Sequence, residues 1–250
     1  MYPSPGTIER IGRDWDWIWL DGQHGQIADY QQMLAMVRAC NYVDRAAYVR
    51  VPSHEPATLA LALDMGANAV IVPQVDTVEQ AHQLVQAAKF PPVGNRSFGG
   101  RRPIDLWGRD YVKTANKETK LICQIESPRA LANAATIAAL SGVDGLFIGP
   151  DDLLLRLNGS IGGPDDKKIL QDAIRRVAAT CQKEAKDCLC VGIGAEMTKL
   201  CADAGVNYIV AGGDVSFLAS GSNNALEISR QTLKAQSNKK TFPSKRSSLY

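Results

Sequence analysis

The chain has 250 residues, of which 45% are apolar and 22% charged, with 28 Lys and Arg against 26 Asp and Glu for a net charge of +2. That balance excludes a disordered, collagenous or disulfide-scaffold protein, and it gives no basic excess of the kind that nucleic-acid binding favours. No apolar run reaches the roughly 20 residues of a membrane span, and the start, Met1-Tyr2-Pro3-Ser4-Pro5, lacks the charged-then-apolar pattern of a secretory leader.

In chain order, short apolar runs alternate with amphipathic stretches. Pro3–Ile11 reads as a first helix, followed by an apolar run at Trp17–Leu20. Gln31–Ala39 carries Met33, Leu34, Met36 and Val37 at helical spacing and leads to the run Ala47–Val51. Ala69–Val72 is a third run, and Asp76-Thr77 predicts a cap for a helix over Val78–Ala88. Leu121–Ile125 is a fourth run; Ser127-Pro128 then places Ser at an N-cap and Pro at the first helical position of a helix over Ala130–Leu140. Gly145–Ile148 is a fifth run, and Asp165–Lys186, after Pro164, is expected to be the longest helix. The runs Cys188–Ile193 and Tyr208–Ala211 flank a helix over Ala195–Ala204 that ends at Gly205, a suitable C-cap. A further helix is expected around Ala225–Ala235.

Continuous apolar runs are the mark of parallel strands covered on both faces. Strand after helix after strand implies an α/β protein with a parallel sheet, closed into a barrel or doubly wound. A doubly wound nucleotide-binding fold would carry a glycine fingerprint after the first strand. That strand is followed by Asp21-Gly22-Gln23-His24-Gly25, and no G-x-G-x-x-G or Walker-type loop opens any helix, so a (β/α)8 TIM barrel is favoured. Residues 1–236 are read as one barrel domain. Residues 237–250, rich in Ser, Lys and Pro, are read as a flexible tail. The six cysteines include no C-x-x-C pair; they read as reduced, buried small side chains of a cytoplasmic protein.

In a barrel the chemistry lies where strands end. The polar residues there are Asp21 and His24, Arg50, Gln74, Gln124 and Glu126, Asp151 and Asp152, Glu196 and Asp214. Glu126 and Asp152 follow neighbouring strands and could share one mouth, where two carboxylates plus water suit a hard divalent ion. Each could equally cap the helix that it precedes. His24, between glycines in a loop, is freer for chemistry than a packed core histidine; His54, in a turn, and His82, on a helix, point to none. Arg50 stands inside an apolar strand and needs a carboxylate partner, either a substrate or an internal one such as Asp21 or Asp64. The loop Gly94–Arg102 could bind an anion, act as a lid or form an interface. Trp15, Trp17 and Trp19 alternate and read as strand packing rather than a ligand cage.

Taken together, the segments resemble the HpcH/HpaI aldolase family of metal-dependent class II pyruvate aldolases. Trp17-Ile18-Trp19-Leu20-Asp21-Gly22-Gln23-His24 is similar to that family's strand ending in D-G-E-H. Val49-Arg50-Val51-Pro52, Leu63-Asp64-Met65-Gly66-Ala67, Phe90-Pro91-Pro92-Val93-Gly94-Asn95-Arg96, Gln124-Ile125-Glu126 and Gly142–Leu153 match further steps, in order over most of the chain from about Pro3 to Gly213. The resemblance implies reversible aldol cleavage of 4-hydroxy-2-oxo acids to pyruvate and an aldehyde. It assigns Glu126 and Asp152 to a divalent metal (Mg²⁺ or Mn²⁺, with Co²⁺ as an alternative) that pyruvate chelates through its keto oxygen and carboxylate. Backbone N–H groups of Asp151 and Asp152 would hold the carboxylate, Arg50 would face the keto oxygen, and Gln124 would line the metal. His24 would be the acid/base group, oriented by Asp64, with Asp21 and Gln23 behind it.

Two departures carry expectations of their own. Gln23 replaces the family's Glu and removes a charge beside His24. The family begins with a strand ahead of the segment matching Pro3–Glu9, so either the given sequence is short at its start or the barrel has seven strands, open between Trp17–Leu20 and Tyr208–Ala211. Such an edge needs cover from another segment or chain. Alternative readings are an oxaloacetate decarboxylase with macrophomate-synthase-like C–C bond formation, and a catalytically degenerate assembly subunit. The expected partners are a small 2-oxo acid (pyruvate or oxaloacetate), an aldehyde and further copies of the chain as a hexamer or trimer, with no nucleic acid and no membrane. Nothing marks a CoA site.

Overall fold

A computed structural model describes residues 1–27 and 29–236. The tail reading of 237–250 lies outside the described residues. Two compact units divide at Gly212 and Gly213.

The first unit, Met1–Gly212, alternates helices and strands in the order α1 (Pro5–Ile11), β1 (Trp17–Asp21), α2 (Tyr30–Tyr42), β2 (Ala46–Arg50), α3 (Pro56–Asp64), β3 (Ala69–Val72) and α4 (Val78–Ala88). The short α5 (Arg101–Trp107) and α6 (Ala115–Glu118) precede β4 (Lys120–Ile125). Then come α7 (Pro128–Ala138), β5 (Gly145–Ile148), α8 (Pro150–Asn158), α9 (Asp166–Lys183), β6 (Asp187–Val191), α10 (Ala195–Ala204) and β7 (Tyr208–Val210). The seven strands pair in parallel, each with its sequence neighbour. The result is a nearly closed TIM-type barrel, as expected. Its edges are β1 and β7. At their N-terminal ends the Trp17 and Tyr208 rings lie 5.8 Å apart, and Tyr48 contacts both. The second unit's described part is one helix, α11 (Asp214–Gln236). With 23 residues it is longer than α9, which has 18, so the expectation that the longest helix lies at 165–186 is corrected. The small and polar Ser216, Ser220, Gly221, Ser222, Asn223 and Asn224 blur its apolar pattern, which is why only its second half was legible.

Local chemistry explains the boundaries. Ser4, Asp29, Thr77 and Ser127 each accept a backbone N–H three residues on, and Thr77 with Gln80 forms a full capping box. Tyr48, Ile71, Ile122, Phe147 and Leu189 fill the barrel interior, while Val49, Val70, Leu121, Leu146 and Cys190 pack outward under the helices. All six cysteines are free and buried, as read from the sequence.

A short repeat sets the lower rim. Gly66-Ala67-Asn68, Gly142-Val143-Asp144 and Gly205-Val206-Asn207 each precede a strand, and each glycine has a positive φ (+91°, +93° and +85°). The Asn or Asp side chain then accepts an N–H from the preceding strand: Ala47 to Asn68 at 2.9 Å, Leu121 to Asp144 at 2.7 Å and Cys188 to Asn207 at 2.7 Å. Each thereby adds one rung below the backbone ladder. At Gly142 an added Cβ would lie 2.6 Å from Val85 Cγ1. Gly142→Ala therefore combines left-handed strain with overpacking and is expected to cost about 2–4 kcal/mol, read as a lower midpoint in urea with an unchanged slope.

Candidate functional site

The upper mouth of the barrel gathers polar groups from successive strands. Asp21 closes β1 and Arg50 closes β2, and the two are register partners. The Asp21 carboxylate takes Arg50 in a two-point grip, Nε to Oδ1 at 2.8 Å and Nη2 to Oδ2 at 2.7 Å, both side chains being buried. Of the two internal partners considered for Arg50, Asp21 is the one present. Burial by itself would raise the Asp21 pKa. The hydrogen bonds and charge of Arg50, with the N–H groups of His24 and Gln23, outweigh it and hold the carboxyl below its ordinary value. Those N–H groups reach Oδ1 at 3.2 and 3.0 Å, which fixes the turn carrying His24. His24 itself is exposed at the rim.

The third guanidinium corner, Nη1, points at Gln124 Oε1 at 3.5 Å, too long to hold it firmly. Gln124 Nε2 donates to Glu126 Oε2 at 2.5 Å, and the Gln74 backbone N–H donates to Glu126 Oε1 at 2.8 Å. Glu126 is 1% exposed. Burial pushes its pKa up, and the nearby Asp152 charge adds to the rise against Gln74 and Arg50. The helix-cap reading of Glu126 is thereby corrected: Ser127 Oγ caps α7, accepting the Ala130 N–H at 2.9 Å, and frees the Glu126 carboxylate for the mouth. Asp151 and Asp152 stand in the first turn of α8, where N–H groups have no intrahelical acceptor. Asp152 lies 4.0 Å from Arg156, and its side chain is 39% exposed.

Three features of this mouth were not assigned from the sequence. Gly149 admits no side chain, because a Cβ would stand 2.7 Å from both Gln124 Nε2 and Glu126 Oε2. Gln74 has φ +55°, an unusual value for a side-chain-bearing residue; it sits where its N–H meets Glu126. Trp19 lies under the Arg50 guanidinium at 4.8 Å from ring centroid to Cζ. Only the strand-end position of Gln74 and the alternation of Trp19 with Asp21 were legible signals. Gln23 contributes its backbone N–H, while its buried Oε1 has no hydrogen-bond partner.

Other expectations are corrected. Asp64 ends α3 and so lies at the rim opposite the mouth. It pairs with Arg96 at 2.7 Å and does not meet His24 of the same chain. Helices run antiparallel to strands in this fold, so a residue at a helix's end falls at the strands' beginnings. The same geometry moves the loop Gly94–Arg102, between the end of α4 and the start of β4, away from the mouth. There Arg96 stacks on Phe90 and Arg102 Nε donates to Met65 O at 2.7 Å, so the loop is no lid for this chain's own site. Glu196 is exposed and pairs with Lys167. His54 bonds the Pro73 carbonyl at 2.6 Å, and His82 is exposed on α4.

Among the described residues no group of three or more His, Cys, Asp or Glu surrounds a common point. The donor set is two carboxylates with an amide oxygen nearby. That fits a hard divalent cation that keeps water and substrate oxygens as its other ligands, and the like-charge pressure on Glu126 is what such a cation would relieve. Among the described residues no helix is long and apolar enough to cross a membrane.

A family model described as HpcH/HpaI aldolase/citrate lyase matches residues 8–219. A 4-hydroxy-2-oxovalerate aldolase of Novosphingobium aromaticivorans is 34% identical over 231 residues, 90% of this chain and 86% of the relative. The crystal structure of an HpcH/HpaI aldolase/citrate lyase family protein from Burkholderia cenocepacia superposes with a TM-score of 0.81 at 30% identity, covering 92% and 93% of the two chains. That of a macrophomate synthase superposes with a TM-score of 0.80 at 25% identity, covering 95% and 84%.

Proposed function

The chain belongs to the HpcH/HpaI aldolase/citrate lyase family, and from that premise we propose how its mouth performs the aldolase reaction. The protein is a lyase that cleaves a hydroxylated 2-oxo acid to pyruvate and an aldehyde, an activity supported by the aldolases among its relatives. The observation that carries the site assignment is the row of neighbouring polar side chains Asp21–Arg50–Gln124–Glu126 across three strand ends, bonded firmly at its two ends and with 3.5 Å between Arg50 and Gln124, and with Asp152 alongside. Glu126 and Asp152 would hold the divalent ion (Mg²⁺ or Mn²⁺, with Co²⁺ as an alternative), with Gln124 beside them. Bound there, the ion would supply Lewis-acid polarisation of the 2-oxo group.

The chain's own residues do the rest. Asp21 fixes two corners of Arg50, so Nη1 is presented to the oxygen on which negative charge grows as the C3–C4 bond breaks. First-turn N–H groups of Asp151 and Asp152 receive the substrate carboxylate. His24, through a water, takes the proton from the C4 hydroxyl; the C–C electrons pass to the enolate, and a proton returned to C3 completes pyruvate. Gln23, neutral beside His24, leaves the Asp21 carboxylate as the charge nearest that turn.

The test is pyruvate release from 4-hydroxy-2-oxo acids after chelator treatment and after metal is restored. Activity should vanish with chelator and return with Mn²⁺ or Mg²⁺ in the wild type. Activity equal in wild type and Glu126→Ala would sink the assignment. A macrophomate-synthase-like fold supports a second reading, oxaloacetate decarboxylation to the same enolate; oxaloacetate turnover without aldehyde distinguishes the two. Assembly as a homo-oligomer, hexamer or trimer, is part of the proposal, since α11 carries Leu218, Leu226, Ile228 and Leu233. A cytoplasmic setting is supported by six unpaired cysteines.

A further inference from the structure

We propose that Trp19 is a positioning residue for this reaction: its indole is the floor on which the Arg50 guanidinium is held flat beneath the developing enolate. The inference rests on the reading that Arg50 faces the 2-oxo group.

Four observations converge on it. Trp19 and Tyr48 are register partners, one inward step below the partners Asp21 and Arg50, so the indole occupies the barrel layer directly under the guanidinium. The Arg50 Cζ lies 4.8 Å from the ring centroid, within the range of cation–π attraction, and Trp is the best partner for it. The ring is itself braced, edge to face, by Phe147 at 5.3 Å and 85°. The indole N–H is buried without a hydrogen-bond partner, so no hydrogen bond accounts for a tryptophan at this position.

The geometry divides the work. Asp21 holds the Nε and Nη2 edge in plane, and a carboxylate grip alone still allows the guanidinium to tilt about that edge. Tilting would swing Nη1, the corner with no firm protein partner, away from the substrate oxygen. The indole below blocks that tilt in one direction and attracts the flat orientation. A smaller aliphatic side chain would leave space beneath the cation and let it sink toward Phe147. The effect falls on rate more than on binding, because the enolate oxygen carries its charge only during reaction.

The experiment compares Trp19→Phe, Trp19→Met and Trp19→Leu in the metal-loaded protein, at temperatures well below each variant's Tm. Two readouts are taken: steady-state kinetics and the NMR shift of the Arg50 side-chain Hε. Loss of a partly desolvated cation–π contact corresponds to about tenfold in rate. Trp19→Met fills the space without a ring and should lower kcat about tenfold, with KM within about threefold and Hε moving downfield as the ring current is lost. Trp19→Phe keeps a face for the cation and should recover most of that loss. Trp19→Leu should resemble Met; if it does not fold, Met and Phe decide the matter. A Trp19→Met protein with wild-type kcat, or an unmoved Hε, overturns the inference. So does a loss in Trp19→Phe equal to that in Trp19→Met, which would mark plain packing. A wild type that releases no pyruvate with metal would instead overturn the reading beneath it, and the Hε shift would then report the stacking alone.

Discussion

Replacing Arg50 by Lys should lower kcat for pyruvate release by about a hundred- to a thousand-fold, the range for removing a preorganised donor from a developing oxyanion. A lysine keeps the charge but has one compact head. It cannot grip both Asp21 oxygens and also present a third corner to the substrate. Arg50→Ala should do more than abolish activity, because it strands a buried carboxylate; breaking one side of a buried pair costs about 3–5 kcal/mol. The two variants therefore separate chemistry from stability: Lys should lose rate with a modest change in urea midpoint, and Ala should lose both. Acid supplies a further check on the pair. The Asp21 pKa is lower in the folded chain than in the unfolded one. Its stabilisation is present above the unfolded value and is lost as pH falls through the folded value, a window that opens below about pH 4. Asp21→Asn should flatten that part of the stability profile. An Arg50→Lys enzyme within fivefold of wild type would show that the guanidinium does not face the reacting oxygen.

Glu126→Gln should abolish metal-stimulated turnover while leaving the metal-free protein folded. The amide is nearly isosteric, but it presents one neutral oxygen where the carboxylate offers two charged ones, and a divalent ion held by two carboxylates loses half of its charged ligands. A rate loss beyond about a thousand-fold is expected, because both the ion and its effect on the 2-oxo group go together. Stability is pulled both ways. Burial and the Asp152 charge raise the Glu126 pKa, and a neutral side chain escapes that penalty on the charged form. The amide, however, offers its one oxygen to only one of the Gln74 and Gln124 N–H donors that meet the two carboxylate oxygens, which costs about 1–3 kcal/mol. Added Mn²⁺ should raise the Tm of the wild type and not that of the variant. A Glu126→Gln protein that keeps its metal-dependent Tm shift would place the ion elsewhere.

What the sequence determined by itself is the barrel and the strand ends of its mouth. Period and punctuation are local, so Ser127-Pro128, Thr77 and Gly205 fixed helix boundaries, and seven apolar runs became seven parallel strands. Asp21, Arg50, Gln124, Glu126 and Asp152 are legible because polar residues at or just past the ends of apolar strands stand out against the runs that they close. The triple Gly-Ala/Val-Asn/Asp repeat is equally legible, but its role at the lower rim depends on which strand each Asn or Asp faces. Only the tertiary structure decided who meets whom. Asp64 and His24 are each conspicuous in sequence, yet helix direction puts them at opposite rims. Arg50 had two internal carboxylates to choose from, and register with β1 selected Asp21. The positive φ of Gln74, the close packing that forbids a side chain at Gly149, and the indole of Trp19 beneath a cation are products of strands brought side by side. Such contacts depend on distances across the barrel, and a single chain read in order carries no information about those distances.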